Sequence, residues 1–437
     1  MRESKAIYSL LIATILMVVM AGCGILENEI LLEPTSNNLY LSRNEYNLTV
    51  DKISLEPTPT NFNSTHNEYN SAVNGTLLEP ILNDFYTSHD ERGLAAVEEL
   101  LITDPANALA LALRGAFELR QEEWDAGFED ANKALEIDPD LAFAYVDRAW
   151  FLQYHGADME AARIDIDTAL ALEPNLAFAH CIKAGLHPTN DIQPVLQSYE
   201  KAIELRPDYY VAYINLAFIT VLSVDAEMGF SYFEKAIEIN PDNARAYYER
   251  GDIYRLQRNY ESAIPEYTQA IKLGANTASI YEGLVESYTE TGNYANAITN
   301  IEHVIDLDPT NINAYNLAAL LIAYTDSDLE KALAYNNLTL GFSPQYERYR
   351  DTKAYIYYKM GKYDEAFQIF TDLIENGYDN SYYGRGLIYY SLGDKENAIS
   401  DFQAYLAEQN GDFRSREVEK LLNEMSSESG EETNSQN

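Results

Sequence analysis

The sequence predicts an all-α solenoid of about nine to ten helix–turn–helix units. Three observations point to it: prolines at a fixed interval, small residues at two fixed offsets, and an excess of tyrosine. Pro105, Pro139, Pro174, Pro207, Pro241, Pro309 and Pro344 each close an apolar helical stretch. Their gaps are 34, 35, 33, 34, 68 and 35 residues, with Ala275 where a proline would halve the long gap. Such a period belongs to stacked units, each leaving an apolar flank that only its neighbour can cover.

Each position in the unit has a physical reason. Proline ends the second helix because it has no N–H to give the preceding turn. The residue after it, such as Asp140, Asn175, Asp208 or Asp242, is of the type that caps a new helix start. Eight positions into the unit come small residues: Gly115, Ala149, Ala184, Ala217, Gly251, Ala354 and Gly386. A second small set, twelve or so residues later, comprises Gly127, Ala162, Gly229, Ala263, Ala297, Ala332, Ala366 and Ala398. Two helices approach closely only where neither side chain intrudes, so these pairs mark the crossing inside each hairpin. The excess of tyrosine, 35 in all, then finds a cause, because Tyr145, Tyr213, Tyr247, Tyr281 and Tyr315 fill one early position. These, and the second-helix aromatics Phe233, Tyr267, Phe370 and Phe402, are expected in the core.

This period and pattern resemble the tetratricopeptide repeat, a helix–turn–helix unit of 34 residues. The resemblance implies a right-handed superhelical solenoid whose first helices line a concave groove. It covers the array from Ala108 to Gln409, about nine units. A degenerate first repeat is expected over 76–107, with helices near Leu77–Ser88 and Arg92–Ile102. A polar-faced capping helix is expected over 410–425, and a disordered acidic tail over 426–437. The third unit is irregular: Pro188 must stop its first helix early, and Pro194 suits the first turn of its second. His180 and Cys181 are neighbours in that unit but point to different helix faces, and His180 holds the tyrosine slot, so no metal site is expected.

The N-terminus reads as an address. Arg2 and Lys5 precede an apolar run from Ala6 to Met20, then Ala21-Gly22-Cys23, the pattern of an export signal over 1–22. Met20-Ala21-Gly22-Cys23 resembles a lipobox, which implies a lipid on the Cys23 thiol. An uncleaved signal anchor is the alternative, since Ala6–Leu26 is long enough to span a bilayer. Either way Arg2 and Lys5 stay inside and the array lies on the extracytoplasmic side of the cell membrane. Residues 23–75 hold ten asparagines and three prolines without helical period, the composition of a flexible tether. As a coil of about 50 residues it would span roughly 40 Å. It carries three glycosylation sequons, at Asn47, Asn63 and Asn74; a fourth, at Asn337, falls in a packed helix and is expected to be inert.

Composition excludes some functions. A formal charge of −40, from 70 acidic and 30 basic residues, repels phosphate backbones, so no nucleic-acid partner is expected. No HExxH, GxSxG, GxGxxG or P-loop pattern occurs, and the six histidines are scattered. The chain is therefore read as no enzyme, with no cofactor, no metal and no small-molecule substrate.

What remains is surface. The resemblance implies groove residues at unit positions two, five, nine, twelve and thirteen. In the first half these include Phe143, Trp150, Tyr154, Phe218, Arg245 and Tyr248. In the second half they include Arg255, Arg348, Tyr355, Tyr358, Tyr383 and Tyr390. Aromatics with interspersed arginines suit an extended peptide or a helix. Asn215 matches one position of the family's carboxylate clamp, but the clamp's lysines are absent. The expectation is a protein-interaction scaffold or assembly factor at the membrane, with a cell-surface receptor for an extracellular peptide or glycan as the alternative.

Overall fold

The computed structural model describes residues 78–87, 90–121, 123–155, 158–187, 192–408 and 413–434. The expected signal, Cys23, the tether and its sequons at Asn47, Asn63 and Asn74 lie outside the described residues. Among the described residues every regular element is a helix. The chain divides into two compact units, one reaching Arg250 and the other beginning at Gly251.

The first unit contains α1 (Leu78–Thr87), α2 (Asp90–Thr103), α3 (Ala108–Arg120), α4 (Trp124–Ile137) and α5 (Ala142–Tyr154). It continues with α6 (Met159–Leu172), α7 (Ala177–Leu186), α8 (Gln193–Leu205), α9 (Tyr210–Ser223) and α10 (Ala226–Ile239). The boundary falls inside α11 (Ala244–Leu256). The second unit holds α12 (Tyr260–Lys272), α13 (Ala278–Glu290), α14 (Tyr294–Leu307), α15 (Ile312–Tyr324) and α16 (Leu329–Phe342). Then come α17 (Glu347–Lys359), α18 (Tyr363–Glu375), α19 (Ser381–Ser391), α20 (Lys395–Glu408) and α21 (Phe413–Asn434). Within each unit the helices pair as hairpins in sequence order, and each hairpin packs on the one before it.

The small pairs meet as the sequence requires. A Cβ built on Gly115 would lie 2.9 Å from the Gly127 carbonyl oxygen, and one on Gly127 would lie 2.7 Å from the Gly115 carbonyl. Gly229 approaches the Ala217 carbonyl in the same way, at 2.8 Å. The second-helix aromatics Phe233, Tyr267, Phe370 and Phe402 are fully buried. Many of the first helices hand over to the second through a left-handed residue: Gly292, Gly361 and Gly393, but also Arg258 at φ 58° and Asp326 at φ 53°. Glycine is the residue that enters this region without a Cβ penalty.

Several local expectations need correction. Asp140 and Asp208 do not cap the first helices; the N-cap positions of α5 and α9 are Leu141 and Tyr209, which make no side-chain cap. The capping acids and amides stand mainly before the second helices, at Asp158, Asp225, Asn259, Asn293 and Asp328, each accepting from an amide three residues on. Tyr213 and Tyr281 are buried, but Tyr145, Tyr247 and Tyr315 are only half-buried. The Tyr145 hydroxyl bonds back to the Pro139 carbonyl at 3.1 Å, so the position latches a turn. His180 does the same work in the third hairpin, its Nε2 lying 3.0 Å from the Pro174 carbonyl. There α7 stops at Leu186 after only ten residues, and Pro194 occupies the first turn of α8. Asn337 sits in α16 with its sequon partner Thr339 buried. The terminal helix runs on to Asn434, through most of the segment expected to be a disordered tail.

An unforeseen feature recurs at hairpin crossings. Arg114 grips Asp130 through Nε and Nη2 at 2.5 and 2.8 Å, and Arg148 grips Asp165 at 2.7 Å twice. Arg385 and Asp401 repeat the fork at 2.7 and 2.9 Å. Each pair joins the two helices of one hairpin across 16 or 17 residues, with a buried carboxylate held bidentately by a half-buried guanidinium.

Candidate functional site

Each unit presents a face built from its first helices, and each face already holds a helix of the same chain. In the first unit the occupant is α1. Its Ile81, Asp84, Phe85 and Tyr86 are buried. Phe85 meets Phe117 of α3, Phe143 of α5 and Phe178 of α7 edge-on, with centroids 5.9, 5.6 and 4.9 Å away. Tyr86 meets Tyr209, at the start of α9, at 4.8 Å. A regular hairpin touches only its neighbours; α1 reaches across four first helices.

Two arginines and an amide hold the end of α1. Arg120 stacks 3.9 Å over the Phe85 ring and donates to the Phe85 carbonyl (2.7 Å) and to Asp90 (2.8 Å). Arg206 lies 4.2 Å over the Tyr86 ring and donates to the Asn83 side-chain oxygen at 3.3 Å. Asn240 donates to the Thr87 carbonyl at 3.1 Å. Cations and donors at a helix C-terminus satisfy its last carbonyls and oppose its dipole. Burial pushes the Tyr86 hydroxyl well above the ordinary phenol range, with Arg206 pulling the other way.

In the second unit the occupant is the first half of α21. Glu417 accepts from the hydroxyls of Tyr324 (2.7 Å) and Tyr383 (2.8 Å) with the same oxygen. Burial and this carboxylate together push the Tyr324 hydroxyl far up. Arg414 is buried, 5.0 Å over the Tyr383 ring and 5.7 Å over Tyr355, with the Asp351 carboxylate 3.9 Å away. Asp351 in turn accepts from Ser381 at 2.7 Å. Arg416 donates to the backbone oxygen and carboxylate of Glu290 at 2.9 and 3.0 Å. Phe413 packs on Tyr324 and Tyr294 at 5.2 and 6.0 Å. These partners come from α13, α14, α15, α17 and α19.

The twelve groove positions are thus divided. Phe143 faces α1, and Tyr355 and Tyr383 face α21. Trp150 is buried against Phe178 at 5.6 Å, and Phe218 is buried within α9. Tyr154 and Tyr248 are half-buried. Arg245 donates to Asn215 (2.7 Å) and Glu249 (3.3 Å), which gives Asn215 a partner other than a peptide carboxylate. Arg255 is engaged by Glu286 at 2.8 Å and Asp252 at 3.2 Å. Tyr358 bonds Ser391 at 3.1 Å, Arg348 is half-buried, and Tyr390 is 37% exposed. Phe178, Arg120, Glu290 and Tyr324 were missed, although they occupy the same unit positions as residues that were chosen. Arg120 stands 34 residues before Tyr154, and Tyr324 stands 34 before Tyr358.

Residues 232–264, 278–311 and 352–413 match three tetratricopeptide-repeat family models. The chain carries tetratricopeptide repeats. No curated protein matches it. Among solved structures, pilF of Pseudomonas aeruginosa is 20% identical, with 49% of this chain and 98% of that one covered at a TM-score of 0.40. A tetratricopeptide repeat protein from Parabacteroides merdae is 15% identical over 65% and 98% of the two chains, TM-score 0.41. YrrB, described as having an unusual peptide-binding site, is 17% identical over 52% and 99%, TM-score 0.34. At such scores none of them bears on what this chain binds.

Proposed function

We propose that this repeat protein is a protein-interaction scaffold, held by lipid on Cys23 to the outer face of the cell membrane. One observation carries the binding role: the first-helix face of each unit already receives a helix through aromatic stacking, paired arginines and tyrosine hydroxyls. A face that seats an internal helix has the chemistry to seat an external one. The receptor alternative would use exposed groove aromatics. Of the aromatic candidates only Tyr390 is exposed, the others being buried or half-buried, which favours the scaffold.

Crosslinking in intact cells followed by mass spectrometry tests this reading. The expected result is recovery of specific protein partners joined to the repeat units. Recovery of no protein partner would overturn it.

A further inference from the structure

The inner face of the second unit has more chemistry than an end cap needs. A capping helix has only to cover the apolar flank of the last hairpin, α19 and α20. The first half of α21 instead buries a guanidinium and engages a carboxylate, and it buries Val418 and Met425 along the same helix. Residues from well before the last hairpin receive those charges: Tyr324, Asp351 and Tyr355. Its opposite side, with Arg416, Glu419 and Lys420, is exposed. Charge-assisted bonds and cation–π stacking fix orientation and identity, which is the way a ligand is recognised.

Resting on the interaction-module reading, we propose that this face is a binding site for an amphipathic helix presenting arginine and glutamate three residues apart, and that α21 is its resident occupant. The arginine enters the cage of Tyr355 and Tyr383 beside Asp351. The glutamate takes the two hydroxyls of Tyr324 and Tyr383. An apolar residue directly after the glutamate fills the place of Val418. A partner helix with this pattern displaces α21 and uses the same contacts, because the site is specified by those three positions.

The test uses the full chain and a fluorescent synthetic peptide with the sequence of residues 413–434. A chain carrying Arg414→Glu with Glu417→Lys loses its internal occupant and is expected to bind the peptide at least tenfold more tightly than the unaltered chain. A peptide carrying the same two changes is expected to lose at least tenfold in affinity. In the unaltered chain, amide hydrogen exchange over 413–425 is expected to be faster than over α19, showing that the helix leaves without global unfolding. A folded double variant that refuses the peptide would overturn the proposal. Should that variant fail to fold, the exchange experiment decides: equal protection of 413–425 and α19 means a permanent cap. Cellular crosslinks to partners elsewhere on the chain would then leave the scaffold reading intact, whereas peptide binding without any cellular partner would leave this site and remove the scaffold.

Discussion

Arg120 lies 3.9 Å over the centroid of the Phe85 ring and donates its Nη1 hydrogen to the Phe85 carbonyl at 2.7 Å. One side chain thereby holds both the ring and the backbone end of the helix that crosses the first unit. Its side chain is only 10% exposed, so the pairing with Asp90 is also largely desolvated.

Arg120→Leu leaves the Phe85 carbonyl and the Asp90 carboxylate without their donor. Breaking a buried charged contact from one side costs about 3–5 kcal/mol. The two tryptophans, Trp124 and Trp150, both lie in the first unit, so denaturant unfolding followed by tryptophan fluorescence reads that unit alone. An unchanged midpoint would refute the role given to Arg120.

Gly384 of α19 leaves no room for a methyl group against the hairpin before it. A Cβ there would fall 2.1 Å from the Phe370 ring, itself fully buried. Gly384→Ala gains about 1 kcal/mol of helix propensity but loses more through overpacking, roughly 1–3 kcal/mol. The expected result is a lower melting temperature by calorimetry. A rise would mean that Phe370 has room to move.

The Glu118 carboxyl is raised to about 7, first by burial and then by the charge of Asp130, with Arg114 opposing. Its side chain is 18% exposed. A carboxyl with a folded pKa above its unfolded value binds protons more tightly when folded, so its effect on stability turns unfavourable as pH rises from about 4.5 to 7. Fully buried Asp147, raised well above the ordinary range by burial, acts in the same direction. Glu118→Gln is therefore expected to gain on the parent as pH rises over this window, in paired urea titrations at pH 5 and 7.5. A constant difference between the two proteins would exclude the shift.

The fork between Arg385 and Asp401 has exposures of 17% and 6%. Arg385→Met strands a buried carboxylate and is expected to cost about 1–3 kcal/mol. Asp401→Asn with Arg385→Met should recover part of that loss. A double-mutant cycle without coupling would show the fork to be incidental.

Cys23→Ser removes the thiol to which the proposed lipid would attach. Fractionation of cells should then move the chain out of the palmitate-labelled membrane pool. Membrane retention without label would point to the uncleaved signal anchor.

The array was legible because its restraints are local and repeated. A proline stops a helix wherever it occurs, and Gly115 opposite Gly127 permits close approach whatever lies beyond. Hence the hairpins, their order and the broken third unit could be read from spacing alone. Capping was misread by position because the Asp138-Pro139-Asp140 turn bonds within itself, Asp138 accepting from the Asp140 amide at 3.1 Å. The Arg385–Asp401 type of fork was readable in principle, since a 16-residue spacing recurs, but an acid-rich sequence offers many such pairs.

The site divides along the same line. Phe143, Tyr355 and Tyr383 could be placed on first helices by counting, because helical period assigns a residue to a face. Their occupants could not be named by counting: Phe85 meets Phe178 across 93 residues, and Tyr324 meets Glu417 across the same number. Periodicity fixes which side a residue faces within its own hairpin, while contacts between distant hairpins depend on how small rotations accumulate along the stack. Those rotations come from packing, and they bring α1 and α21 across the faces that the repeats prepare.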